Sequence, residues 1–92
     1  GVGVVGTSTH FSGALTKEWM DLLADGDHES ALEVYRRLLP VYTGVFATQG
    51  CMLVKAGLAA RGFNAAVLRR PLKPASPSQA RTFVQLLEAA GL

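Results

Sequence analysis

The first nine residues constrain this chain more than any other feature. They read Gly-Val-Gly-Val-Val-Gly-Thr-Ser-Thr, and a continuous valine and glycine run is typical of a parallel β-strand covered on both faces. No later stretch predicts a strand able to pair with it. Because such a strand needs neighbours for its N–H and C=O groups, either the chain dimerises through it or the chain is the last piece of a longer α/β protein. We favour the second interpretation.

Composition agrees with a segment taken from a larger core. Hydrophobic residues make up 49% of the 92 residues and charged residues only 17%, below the roughly 25% of an average domain. We therefore expect some apolar surface to face protein outside this segment. A chain this short buries only about 60–65% of its unfolded surface, so its stability margin is small.

Charge and cysteine content exclude several classes of function. The net charge of +2 is scattered, whereas a nucleic-acid surface needs a clustered basic face, and the doublets Arg36-Arg37 and Arg69-Arg70 are better explained as solvated surface than as phosphate clamps. Cys51 is the single cysteine, which fits a reducing cytoplasm. The sequence shows no signal segment and no apolar run of about 18 residues. We expect a cytoplasmic protein with no nucleic-acid and no membrane partner.

Four helices are predicted after the strand. The first covers residues 12–24, and the second starts at the N-cap Asp27 and carries an apolar ladder as far as Phe46. Pro40 lies inside that ladder and predicts a kink rather than a break, because the periodicity continues past it. The third covers residues 51–61 and ends at Gly62. The predicted ladders of the first two helices are Leu15, Trp19, Leu22 and Leu23, and Ala31, Val34, Tyr35, Leu38, Tyr42, Val45 and Phe46.

An extended link and a well-marked last helix complete the chain. The link, residues 69–74, holds two prolines, which disfavour a helix. Ser76-Pro77-Ser78-Gln79 forms a capping box with proline at the first helical position, and Gly91 ends the helix. The apolar side chains predicted to pack in the last two helices are Leu53, Val54, Leu58 and Ala59, and Ala80, Phe83, Val84, Leu87 and Ala90.

Motifs that suggest chemistry are weak. Residues 1–6 match G-x-G-x-x-G, but the glycines lie inside the predicted strand and no helix begins within the motif, so nucleotide binding is disfavoured. Ser8 and His10 end the strand, where parallel-sheet enzymes keep their catalytic groups, yet no third group orients the histidine. An isolated cysteine among apolar helical residues, such as Cys51, is usually a packing residue.

Metal binding and substrate stacking are also disfavoured. The histidines and acidic residues show no metal-ligand spacing. Tyr35 and Tyr42, seven residues apart on one helical face, are better explained as core or interface than as substrate-stacking groups. No catalytic residue, metal or cofactor is assigned from the sequence.

Six features in this order resemble the carboxy-terminal third of the dihydrodipicolinate synthase and N-acetylneuraminate lyase family. The resemblance covers the whole chain, and the order and distances of the features carry it, since no single motif is diagnostic. The features are the Gly-Val-Val run at residues 3–5, the Gly26-Asp27 hinge, the helix containing Pro40, Val-Lys-Ala-Gly-Leu at residues 54–58, Arg-x-Pro-Leu-x-Pro at residues 69–74, and a capped helix ending Ala-Ala-Gly-Leu.

The resemblance implies an α/β fold, specifically the C-terminal piece of a (β/α)8 TIM barrel. Residues 1–25 are expected to form the last βα unit, with the eighth strand at residues 2–7, and residues 26–92 a three-helix C-terminal appendix. The chain itself would then be mostly α-helical. The missing partners of its strand would be the seventh and first strands of the barrel.

The resemblance also implies a lyase that binds pyruvate as a Schiff base on a lysine of the sixth strand. Lys17, Lys55 and Lys73 fall on two helices and a link, so none receives that role, and this chain alone is expected to be inactive. Val5 matches the eighth-strand residue whose backbone contacts pyruvate. Gly6 and Thr7 depart from the serine and aliphatic residue common in the family, which leaves the substrate paired with pyruvate open.

Three functions follow from these interpretations. The first is part of a 4-hydroxy-tetrahydrodipicolinate synthase-like enzyme of lysine biosynthesis, which condenses pyruvate with aspartate semialdehyde and forms a homo-oligomer, with a homotetramer implied by the family. The second is a pyruvate aldolase for a sugar acid in the same family. The third, from a different class, is a small helical interaction module that docks a partner through its apolar faces.

Overall fold

A computed structural model describes residues 2–92 of this chain. These residues contain four α-helices. They are α1, Thr9–Ala24, α2, His28–Gly44, α3, Gly50–Ala60, and α4, Pro77–Ala89. The predicted number and order of helices is confirmed, and the link between α3 and α4 contains no helix, as the two prolines indicated. Within residues 2–92 the chain is helical with no β-strand.

The prediction of a buried strand at the start of the chain is wrong for residues 2–6. This segment has no regular secondary structure, Val2 and Val5 are fully exposed, and Val4 is 58% exposed. The physical reason is that residues 2–92 offer no second strand to pair with the segment, and an unpaired strand gains no ladder hydrogen bonds. The first residue of the predicted strand and of the glycine motif, Gly1, lies outside the described residues.

The first helix begins three residues earlier than predicted, at Thr9 instead of Ser12. Thr9 and His10 are weak helix formers, but each uses its side chain to contact a carbonyl of the preceding turn, as described below. These contacts satisfy carbonyl groups of the segment before the helix, whereas the N-cap Ser8 makes no side-chain capping hydrogen bond. The buried face also differs from the predicted ladder, because α1 buries Phe11, Ser12 and Thr16 and Leu23 is 47% exposed.

The second helix confirms its predicted start and the prediction that Pro40 does not break it, while the predicted kink stays a prediction. The backbone N–H of Ser30 donates to the Asp27 side chain at 3.2 Å, which caps the helix as expected. Pro40 lies inside a helix that continues to Gly44. The predicted ladder runs too far, since Phe46 lies beyond the helix and is 61% exposed.

Helix ends elsewhere follow their local signals. Gly62 and Gly91 adopt φ values of +94° and +78° after α3 and α4, a conformation that glycine adopts without steric cost. The predicted capping box is present. The Gln79 N–H donates to Ser76 Oγ at 3.1 Å, and the Ser76 N–H donates to Gln79 Oε1 at 3.0 Å.

The core lies where α1 and α4 pack against α2 and α3 packs against α4. The rings of Phe11 and Phe83 pack edge to face with centroids 5.6 Å apart, and α3 reaches them because Gly57 has no side chain. A Cβ there would lie 2.7 Å from Phe11 and 3.0 Å from Phe83. The buried core cluster consists of Phe11, Val41, Val45, Leu53, Val54, Phe83, Leu87 and Ala90.

A side chain of α2 also holds the end of the chain. Arg37 Nε donates to the carbonyl oxygen of Ala90 at 2.9 Å, at the C-terminus of α4, where a cation is favourable. Arg37, the second residue of the Arg36-Arg37 doublet, therefore has a structural role. This contact fixes α4 against α2 at the far end from its capping box.

Candidate functional site

Val5, the residue matched to the pyruvate contact, lines a broad open cavity of about 870 Å³. Residues 4–10 form one wall of this cavity, and side chains from α1, α2 and α3 form the others. Trp19, Tyr42, Phe46 and Val54 give it a largely apolar lining. The segment predicted to be a strand thus lies beside a concave surface built by three helices.

The turn that follows Val5 is fixed by three side chains from the first turns of α1. Thr9 Oγ1 donates to the Gly6 carbonyl at 2.6 Å, and Ser12 Oγ donates to the Ser8 carbonyl at 3.0 Å. His10 Nδ1 lies 3.0 Å from the Thr7 carbonyl, and a carbonyl only accepts, so Nδ1 carries the proton. Three consecutive carbonyls, those of residues 6–8, therefore each accept a side-chain hydrogen bond.

Buried hydroxyl groups extend this arrangement from α1 to α2. Ser12 is completely buried and Thr16 is 5% exposed. Their hydroxyl oxygens are 3.4 Å apart, and the Thr16 hydroxyl lies 2.7 Å from the Tyr42 hydroxyl. The indole N–H of Trp19 donates to the same tyrosine oxygen at 3.1 Å. We call this set, from the Ser8 carbonyl to the Trp19 indole, the hydroxyl ladder.

Sequence reasoning missed the hydroxyl ladder although a signal was present. Ser8, Ser12 and Thr16 are spaced four apart, which places them on one helical face. The predicted helix began at Ser12, so the first two of these positions were assigned to a loop or a helix end. Tyr42 was singled out, but as core or interface.

The remaining candidates keep structural roles or none. Within residues 2–92 no hydrogen bond joins the side chains of Ser8 and His10, so the structure does not assemble the imagined couple. Cys51 is exposed in the first turn of α3, which contradicts its interpretation as a packing residue. The rings of Tyr35 and Trp19 pack edge to face with centroids 5.7 Å apart, but Tyr35 is 37% exposed, so it does not lie in the core, which was one of the two roles suggested for it.

The three lysines lie where the sequence placed them. Lys17 on α1 forms an exposed ion pair with Asp21 at 2.6 Å. Lys55 on α3 donates to the carbonyl of Val67 at 2.7 Å, and Lys73 is exposed in the link. Two of them therefore have identified polar partners near solvent.

Two features are absent from the described part of the chain. In residues 2–92, no cluster of three or more His, Cys, Asp and Glu side chains has the proximity needed to hold a metal ion. Over the same residues, none of the four helices combines the length and hydrophobicity needed to cross a membrane.

Comparison with known proteins assigns the chain to one protein family. The model of the Dihydrodipicolinate synthetase family matches residues 1–90. The chain therefore belongs to this family, as its ordered motifs indicated.

Several curated relatives carry the name 4-hydroxy-tetrahydrodipicolinate synthase. The protein of Cutibacterium acnes is 50% identical over 92 residues, which is all of this chain and 31% of the relative. That of Acidothermus cellulolyticus is 41% identical over 90 residues, 98% of this chain and 29% of the relative. A synthase 2 of Streptomyces coelicolor is 36% identical over 91 residues, 99% of this chain and 30% of the relative. The chain thus spans about 30% of the length of these relatives. No solved structure gives a significant match.

Proposed function

We propose that this chain is the C-terminal part of a 4-hydroxy-tetrahydrodipicolinate synthase, which condenses pyruvate with aspartate semialdehyde in lysine biosynthesis. The observation that carries the proposal is the 50% identity to a synthase of that name along all 92 residues. Because the chain covers about 31% of that relative, the remaining parts of the active site would be supplied by residues outside this segment.

In this proposal, residues 2–7 form the eighth strand of a (β/α)8 barrel and α1 is the helix that follows it. Support comes from the exposure of Val2, Val4 and Val5, since burying three valines between barrel neighbours is favourable by about 1.5–3 kcal/mol for each side chain. Their free N–H and C=O groups would join the ladders of the seventh and first strands. The helices α2, α3 and α4 form the appendix outside the barrel.

The chemistry proposed for the whole enzyme needs a lysine, and we propose that none of the three lysines of this chain is that residue, including Lys55, which lines the cavity. A Schiff base forms when an uncharged amine in a desolvated pocket attacks the pyruvate carbonyl and water leaves. Lys17 and Lys73 are exposed, and Lys55 is engaged by the Val67 carbonyl. We therefore assign the Schiff-base lysine to a position outside residues 1–92.

Within this segment Val5 is the residue assigned to substrate. Its role is a main-chain contact to pyruvate, which does not depend on the length of an aliphatic side chain. The three hydrogen bonds to the carbonyls of residues 6–8 fix the turn directly after it. Full-length enzyme is proposed to act in the cytoplasm as a homo-oligomer.

Turnover by the full-length protein tests this proposal. We expect purified enzyme to consume pyruvate and aspartate semialdehyde together, with no consumption of pyruvate when the aldehyde is omitted. A parallel assay offers an aldose as the acceptor. Turnover with the aldose and not with aspartate semialdehyde would support the sugar-acid aldolase instead. Absence of pyruvate turnover with either aldehyde would overturn the assignment to a pyruvate lyase.

A further inference from the structure

The two ends of the hydroxyl ladder fix the direction of every hydrogen bond in it. The Ser8 carbonyl only accepts, so Ser12 must donate to it, and Thr16 then donates to Ser12 across 3.4 Å, the longest and weakest bond of the ladder. With its proton used, Thr16 accepts from Tyr42 across the 2.7 Å contact. At the other end the Trp19 indole N–H only donates, and it donates to the Tyr42 oxygen. All four bonds therefore run from α2 and Trp19 towards the Ser8 carbonyl.

The fixed direction of these bonds favours a positioning role for the hydroxyl ladder over a role in proton transfer. A proton relay needs a group that takes up a proton at one end and a group that releases one at the other, and an indole N–H and a peptide carbonyl do neither near neutral pH. A chain of aligned hydroxyls does strengthen its own bonds, because each donor is polarised by the bond it accepts. The ladder is therefore suited to holding the Ser8 carbonyl in place.

The Ser8 carbonyl is the point at which the hydroxyl ladder meets the turn that follows Val5. It also accepts the backbone N–H groups of Phe11 and Ser12, each at 3.0 Å. Ser8 ends the turn of residues 6–8, and both Val5 and the ring of Tyr42 line the same cavity. The hydroxyls of Thr16 and Ser12 thus connect Tyr42 on α2 to the turn that follows Val5.

We propose that Tyr42 is a positioning residue for pyruvate binding, acting through Thr16, Ser12 and the Ser8 carbonyl on the backbone at Val5. This inference rests on the proposed function, since it assumes that Val5 contacts pyruvate. It assigns a task to α2, a helix of the appendix, in the binding of substrate at the eighth strand. Tyr42 itself does not touch the reacting atoms.

The test compares two tyrosines of the same helix in the full-length enzyme. Tyr42→Phe removes the hydroxyl at the centre of the ladder, and Tyr35→Phe removes the same atom from a tyrosine that lies outside it. We expect Tyr42→Phe to raise the KM for pyruvate about two- to tenfold, the effect of losing one hydrogen bond, with kcat and the KM for aspartate semialdehyde unchanged. Tyr35→Phe should leave all three constants unchanged.

Substitutions at Thr16 test whether the effect runs through the ladder. Thr16→Val keeps the side-chain shape and removes the hydroxyl, so it should reproduce the KM effect, whereas Thr16→Ser keeps the hydroxyl and should retain a near-normal KM. The double variant Tyr42→Phe with Thr16→Val should be no worse than the more affected single variant, because both break one chain. A purely structural role would lower kcat through loss of folded enzyme and leave KM unchanged, which would overturn the proposal.

A readout independent of turnover separates this inference from the proposed function. Amide hydrogen exchange at Phe11 and Ser12 reports the bonds to the Ser8 carbonyl. We expect faster exchange at both amides in Tyr42→Phe than in Tyr35→Phe. Equal exchange in the two variants would overturn the ladder as a positioning device. If the wild-type enzyme does not turn over pyruvate, the proposed function fails and with it the role in pyruvate binding, whatever the exchange shows.

Discussion

Replacing Phe83 with alanine is expected to remove a large fraction of the stability of this chain. Phe83 is 1% exposed, and its ring packs against Phe11 and against the bare backbone at Gly57. A cavity of this size in a core costs about 3–5 kcal/mol. A folded chain of this length is stable by only about 5–14 kcal/mol, so the loss is a large fraction of the total.

Urea unfolding followed by fluorescence measures this effect, because Trp19 is the single tryptophan of the chain. The matched control is Phe63→Ala, the same substitution at a ring that is 62% exposed, where the expected change is within about 0.5 kcal/mol. Unfolding midpoints that agree for the two variants would show that the packing of α4 against α1 and α3 is misassigned.

The second large effect is expected for Val5→Pro, and it differs between the 92-residue chain and the full-length enzyme. In the 92-residue chain Val5 is fully exposed and lies outside regular secondary structure, so Val5→Pro should leave the unfolding midpoint unchanged. If residues 2–7 form a central strand of the full-length enzyme, as proposed, the same substitution removes a ladder N–H from that strand, which proline does not tolerate. We expect no folded, active enzyme to be recovered.

Val5→Ile is the control for this pair of measurements. It keeps strand propensity and the backbone hydrogen bonds and adds one methylene, which costs about 1–3 kcal/mol at most in a packed interior. Pyruvate turnover should persist. A full-length Val5→Pro variant that folds and retains activity would show that residues 2–7 do not complete a barrel.

Sequence reasoning succeeded wherever a local signal determines the structure. The N-cap Asp27, the capping box at Ser76 and the terminating glycines Gly62 and Gly91 act on their own turns, and all four were predicted. Pro40 was also interpreted correctly as a residue inside a continuing helix, since the apolar periodicity on both sides outweighed one lost donor.

Features that depend on distant parts of the chain were predicted less well. A valine run has strand propensity, but a strand exists only where a neighbour accepts its hydrogen bonds, and residues 2–6 have no such neighbour in the described structure. The burial of Phe46 and Val41 was also predicted incorrectly. The packing of α3 and α4 decides which positions near the end of α2 are buried. Val41 is completely buried and was missing from the predicted ladder.

The candidate site was predicted only in part for a related reason. The match of Val5 to a substrate contact came from the order of motifs along the chain. The hydrogen bond from Tyr42 to Thr16 joins residues that are 26 positions apart in the sequence. No local sequence pattern predicts a hydrogen bond across so large a sequence separation. The spacing of Ser8, Ser12 and Thr16 indicated a polar face, while its partner became visible only once α1 had been packed on α2.

Trapping of the pyruvate imine tests the central claim of this account most directly. Full-length enzyme and the 92-residue chain are each incubated with pyruvate, reduced with borohydride, digested and mapped by mass spectrometry. Our account predicts one stoichiometric adduct in the full-length enzyme, on a lysine outside residues 1–92, and none on the 92-residue chain. A stoichiometric adduct on Lys17, Lys55 or Lys73, or no adduct on any lysine of the full-length enzyme, would contradict it.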